Sequence, residues 1–125
     1  MSETSESLYE RLGGEAAIMA AVERFYQKVL ADERTRPFFE GLDMKEQTKK
    51  QIAFMSWAFG GPVELKGREL RAAHAPLVAR GLGDAQFDAV TTHLEATLQE
   101  LGVSDDLVRE SLAIVAGTRK DVLNR

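Results

Sequence analysis

The stretch Glu15–Leu30, EAAIMAAVERFYQKVL, decides the fold class. Its apolar residues Ile18, Ala21, Val22, Phe25, Tyr26 and Val29 recur at intervals of three and four, which is the signature of one buried helical face. The polar turn Ala31-Asp32-Glu33 ends it. The same period continues outward along the chain. Asp43 is a good cap for a helix from Met44 to Phe59. Asp84 caps one running to Leu101 through Phe87, Val90, Leu94 and Leu98, and Ser104 caps a last helix with Leu107, Val108, Ser111, Leu112 and Val115 on its apolar face. Between them, Pro37-Phe38-Phe39 puts an aromatic pair in a short turn-bounded piece, and Gly60 to Gly67 reads as irregular. Arg68 to Arg80 has helical spacing interrupted by Pro76; because proline is tolerated in a first turn, the regular part is expected to start near Ala73. No stretch alternates with period two, so the domain is all-α.

Composition narrows the function. The 125 residues are one domain's worth, and 44% hydrophobic content suffices for a core; residues 1–7 read as a polar N-terminal extension to a domain over 8–125. Sixteen Lys and Arg against twenty Asp and Glu leave a net charge of -4 with no basic field, which argues against nucleic acid and anionic membrane surfaces as partners. The start MSETSES lacks the basic and apolar regions of a secretory signal, and no run has the ~18 apolar residues of a membrane span, so a cytoplasmic location is expected. The absence of Cys excludes disulfides, thiol catalysis, zinc-thiolate sites and iron–sulfur clusters.

Few residues are left to carry chemistry. Of the two histidines, His74 falls near the middle of a stripe formed with Leu70, Leu77 and Val78, while His93 lies on the flank of the Val90, Leu94, Leu98, Leu101 stripe. By pattern alone, an imidazole on an apolar face is more often a hydrogen-bonded core residue than a ligand. Gln47, Gln51, Phe54 and Ala58 share one helix side, placing two amides beside a large aromatic; a half-exposed face is the plainer reading. Tyr26 adds a phenol to a buried face, where an ordinary core tyrosine is the default. No Ser/His/Asp order, HExxH motif, phosphate-cradling loop or EF-hand spacing is present. Hydrogen-bonding groups, several Phe and one His without Cys fit a large planar apolar cofactor held by one axial imidazole, and haem is the natural candidate.

The segments LYERLGG at Leu8–Gly14, FYQKVLAD at Phe25–Asp32, Phe38-Phe39, Ala58-Phe59-Gly60-Gly61, AHAPLV at Ala73–Val78 and FDAV at Phe87–Val90 resemble, in order and spacing, the group I truncated haemoglobins. The resemblance spans Leu8 to Asn124. It implies a shortened globin fold in which two antiparallel helix pairs sandwich a haem, with the proximal helix cut to about one turn. It also implies His74 as the proximal iron ligand, Phe39 as the aromatic packed on the haem, and Tyr26, Gln47 and Gln51 as the distal residues that hydrogen-bond a bound gas. Phe54, Trp57, Leu77, Phe87 and Val90 are the further expected haem contacts. Two positions depart from the family. A distal-helix histidine able to coordinate iron is replaced by Lys50, and the region where some relatives carry a histidine bonded to a haem vinyl holds Thr118 and Arg119. Non-covalent haem b is therefore expected, with Lys50 a candidate second axial ligand or an edge cation near a propionate.

The expected function is binding of O2, and of NO or CO, with conversion of nitric oxide to nitrate in the manner of a nitric oxide dioxygenase, supported by an unidentified reductase and carried out by a monomer. Two alternatives differ in class. One is a redox, electron-transfer or peroxide-handling protein whose haem is closed by Lys50 on the distal side. The other is a cofactor-free helical interaction module, whose purified form would be colourless.

Overall fold

The computed structural model describes residues 7–61 and 67–125, and these are helical with no strand among them. Seven α-helices run in order: α1 Leu8–Leu12, α2 Gly14–Ala31, α3 Met44–Ala58, α4 Gly67–Ala79, α5 Asp84–Glu100, α6 Asp105–Ala116 and α7 Arg119–Val122; a 3₁₀ helix, Arg36–Phe39, lies between α2 and α3. The expected irregular stretch before α4 lies largely outside the described residues, as does most of the expected N-terminal extension. Ser7, its last residue, caps α1 in a reciprocal box with Glu10.

α2 buries the residues that its period selects, Ile18, Ala21, Val22, Phe25, Tyr26 and Val29. It packs on α3 along one side and on α5 along another, and α5 pairs with α6. These are the two helix pairs. The short connection Leu101–Ser104 makes α5 and α6 antiparallel neighbours. Leu8, Met55, Phe59, Phe87, Leu94, Leu98, Val108, Val115 and Leu123 complete the core around α2. Gly13, at φ 118°, ends α1 and starts α2 in one left-handed residue, a turn that a side chain would strain.

Three expected boundaries need correction. Asp84 is the first residue of α5 rather than its cap: Gly83 precedes it, and the Gly83 N–H donates to Gln86 Oε1 at 2.9 Å, so the glutamine reaches back to do the capping. α6 is followed by α7, so Ser104, which accepts from the Leu107 N–H, does not cap the last helix. The helix carrying His74 spans thirteen residues and starts at Gly67, not near Ala73, with Pro76 inside it, so it is not the single turn that the resemblance implies. Proline removes the bond to the Ala72 carbonyl, but Ala72 and Pro76 are both exposed, so water can take that carbonyl.

Candidate functional site

Between the helix pairs lies a cavity of about 660 Å³, well inside the ~300–1,000 Å³ range of cofactor and ligand sites. Its walls are mainly apolar. α2 contributes Phe25 and Tyr26, the 3₁₀ helix Phe38 and Phe39, α3 Phe54 and Met55, α4 Leu70, His74 and Leu77, α5 Phe87, Val90 and Leu94, and the C-terminal stretch Val115, Thr118, Val122 and Leu123. Lys50, Leu42, Ala73, Pro76 and Arg80 are exposed residues at its rim.

Among the polar groups that interrupt this lining, four gather in two places. On α4, His74 Nδ1 donates to the Leu70 carbonyl at 2.8 Å. A carbonyl can only accept, so Nδ1 carries a proton; in the neutral ring this leaves the lone pair on Nε2, which is the tautomer of a metal-ligating imidazole. On the α2–α3 side, the Gln47 amide donates to the Tyr26 hydroxyl oxygen at 3.3 Å. That oxygen is the acceptor, so the phenol proton remains to be given to something in the cavity. Burial pushes the Tyr26 phenol up to about 12, against a smaller lowering by the Gln47 bond. It therefore stays a donor throughout the ordinary pH range. Gln51 also lines the cavity and makes no hydrogen bond to another described residue.

The expected site residues are thus brought together with one exception. Tyr26, Phe39, Gln47, Lys50, Gln51, Phe54, His74, Leu77, Phe87 and Val90 all line one cavity. Trp57 does not; its ring packs on Phe54 with centroids 6.0 Å apart, so it backs the wall. Phe39 stands edge-on to Tyr26 at 5.6 Å and fixes the phenol's plane. His93 is elsewhere: Nε2 donates to Asp32 Oδ2 at 2.7 Å, tying α5 to the end of α2. Sequence reasoning missed Arg80, which donates to the Pro37 carbonyl at 2.9 Å and lies over Phe38, joining α4 to the 3₁₀ helix at the rim. It also missed Val122 and Leu123, whose one signal was an apolar pair in a polar tail.

A flat, mostly apolar group with an acceptor metal fits this donor set. Among the described residues no three His, Cys, Asp or Glu side chains meet to hold a bare ion, so a metal at His74 would need its remaining ligands from a macrocycle.

Family comparison agrees with this geometry. The bacterial-like globin model matches residues 7–124. The group 1 truncated hemoglobin of Tetrahymena pyriformis is 45% identical over 120 residues, covering 96% of this chain and 97% of that protein. The chain belongs to the group 1 truncated haemoglobins. A second member, from Synechocystis, is 47% identical over 123 residues, covering 95% of this chain and 98% of its own. Among solved truncated haemoglobins, the 2/2 hemoglobin of Synechococcus sp. PCC 7002, determined in the cyanomet state with covalently attached heme, superposes with a TM-score of 0.90 at 54% identity. That match covers 96% of this chain and 100% of the other. The ferric Tetrahymena pyriformis structure gives 0.86 at 46% identity, covering 94% and 98%. The shortened globin fold expected from the sequence is the fold of this truncated haemoglobin.

Proposed function

We propose that the chain holds a non-covalent haem b with His74 as its axial ligand, binds O2 and other diatomic gases such as NO and CO, and converts nitric oxide to nitrate. The observation that carries the reading is the polarity of one apolar cavity: a free imidazole lone pair on the α4 wall, and a phenol proton with two amides on the α2–α3 wall. When bound, haem supplies reversible gas binding and the electron exchange that nitric oxide dioxygenation needs, with a separate reductase restoring the ferrous form. The chain's part is orientation. Tyr26 aims a donor, Gln47 holds the phenol by its oxygen so that this proton points away from α3's amide, and Gln51 adds a second donor. Phe39, Phe54, Phe87 and Val90 keep water out of the same space.

Non-covalent attachment is supported by Thr118, a cavity residue with a hydroxyl bonded to the Val115 carbonyl at 2.7 Å and no nucleophilic imidazole to offer. A monomer is supported by the surface, where Met19 and Leu42 are the large hydrophobic residues exposed among those described. Lys50 leaves a second reading open to test: exposed on the rim, it makes no ion pair with another described residue.

Visible spectra of the ferric and ferrous parent, His74→Ala and His93→Ala test the assignment. The parent should show haem bands, His74→Ala should lose them or bind haem loosely, and His93→Ala should match the parent. Loss in His93→Ala with retention in His74→Ala would reverse the assignment, and a colourless parent would favour the cofactor-free module. Nitrate formed from NO by the oxygenated protein tests turnover.

A further inference from the structure

α4 is unusually placed for a helix that carries a site residue. Leu70 is its one buried residue, its inner side faces the cavity, and the helix it packs on most closely is the short α7. Inside α4, Pro76 removes the backbone bond to Ala72, so the turn around His74 is held by one fewer internal bond than an ordinary helix. α7 supplies outside support at the neighbouring residues. Asn124 Nδ2 donates to the Arg71 carbonyl at 3.0 Å, and Arg71 Nη1 donates to Asp121 Oδ1 at 3.0 Å. The Arg71 carbonyl adjoins that of Leu70, the acceptor for His74 Nδ1. The Asp121 carboxylate also sits against Gly67, where an added Cβ would come within 2.9 Å of Oδ2. Asn124 makes its bond from a left-handed backbone, φ 57°, the one non-glycine residue in that region among those described. Asn is among the non-glycine residues that take this conformation most readily, and here it carries the amide to the Arg71 carbonyl.

We propose that α7 and its following turn, through Asp121 and Asn124, are the positioning element of His74: they fix the first turns of α4 and so the direction of the imidazole and the strength with which it binds its metal. Val122 and Leu123, between these two polar residues, face the cavity. One short segment thus touches both the proximal wall and the helix that carries the ligand. The proposal rests on the axial reading of His74 and goes beyond it, because Asp121 and Asn124 do not themselves line the cavity.

The test compares the parent with Asn124→Gly, Asp121→Asn and the double variant. Glycine keeps the left-handed backbone and removes only the amide; asparagine keeps the shape and removes the charge. Three measurements are made: the ferrous iron–histidine stretching band, the rate of haem transfer to excess acceptor globin, and hydrogen exchange of α4 amides in haem-free protein. In the double variant the band should shift or broaden and haem should transfer roughly tenfold faster, as expected for losing one neutral bond and the charge assistance of a second. The α4 amides should exchange faster while those of α2 and α5 stay as in the parent. A band present in the parent, lost in His74→Gly, and unmoved in the double variant along with an unchanged transfer rate overturns the role of α7 alone. A band missing from both the parent and Lys50→Ala, in which no internal ligand can close the other side of the iron, or a His74→Gly variant that keeps it, overturns the axial reading and this proposal with it.

Discussion

Tyr26 shows how much of the site's chemistry depends on one proton. Its oxygen is occupied by Gln47, so the hydroxyl proton is the strongest directed donor left to the cavity. Replacing it with Phe should speed O2 release. Losing a hydrogen bond of roughly 1–3 kcal/mol corresponds to a rate increase of roughly five- to a hundred-fold, read by stopped-flow displacement of O2. An unchanged rate in Tyr26→Phe combined with Gln51→Leu would remove the distal network from the account. The same burial makes a pH prediction. The fold raises the phenol from 10.0 to about 12, so it favours the protonated form; this contribution is full below pH 10 and lost between there and about 12. A shift of that size is worth about 2–3 kcal/mol, so Tyr26→Phe should unfold less steeply over this alkaline window. Lys50 is the other residue whose proton matters. An ammonium has no lone pair, so coordination requires its loss and is favoured by alkaline pH. If Lys50 is a ligand, a low-spin six-coordinate spectrum grows with pH in the parent and is missing in Lys50→Ala; identical pH series in the two proteins would leave it an edge charge.

Among the elements, the corner between α2 and the 3₁₀ helix matters because the aromatic pair Phe38 and Phe39 hangs from it. Asp32 closes α2 there. Arg34 and its backbone N–H, then His93, hold the Asp32 carboxyl well below the usual carboxylate range. Thr35, buried, adds a hydroxyl bond to the Val29 carbonyl at 2.6 Å. A depressed carboxyl stabilises the fold above its unfolded value of 3.8 and loses that contribution as pH falls through its folded value. Asp32→Asn should therefore lower stability at neutral pH and flatten the loss seen below about pH 4, measured by urea unfolding across pH. A parallel pH profile in the two proteins would show that the Asp32 carboxylate does not stabilise the corner. α4 illustrates the opposite case, a helix that continues through an interior proline because the exposed Ala72 can give its freed carbonyl to water.

For the whole molecule, the cavity is a large part of the interior of a 125-residue chain. Phe39, Phe54, Leu77, Phe87 and Val90 have apolar surface there that a bound planar group would cover, at ~25 cal/mol per Å². On this reading the cofactor is structural as well as functional. At a hundredfold excess over its dissociation constant a ligand adds about 2.7 kcal/mol. The holoprotein should then melt on the order of 10 °C above the haem-free protein, by calorimetry. Equal melting points would mean that the cavity closes on its own. The α5 wall of the cavity is further braced from outside, where Arg119 pairs with Asp84 and Asp88 and lies 4.4 Å from the ring centroid of Phe87, a cavity-lining residue.

Sequence by itself determined the helices and the residue types of the site. Apolar period sets which face of α2, α5 and α6 is buried, and that period is a local property, as are the caps Asp43 and Ser104. The family motifs extended this to His74, Tyr26, Gln47 and Gln51, which the structure places on one cavity. Tertiary structure decided what depends on distant neighbours. Pattern alone could not separate His74 from His93, since both sit on or beside apolar stripes; their partners, the Leu70 carbonyl and the Asp32 carboxylate, distinguish them. Nor could it show that α4 continues through Pro76, which depends on the exposure of Ala72, or that Trp57 backs the wall while Arg80, Val122 and Leu123 complete it. A cavity is bounded by residues far apart in the chain, and their meeting is a consequence of packing, which no single window of sequence contains.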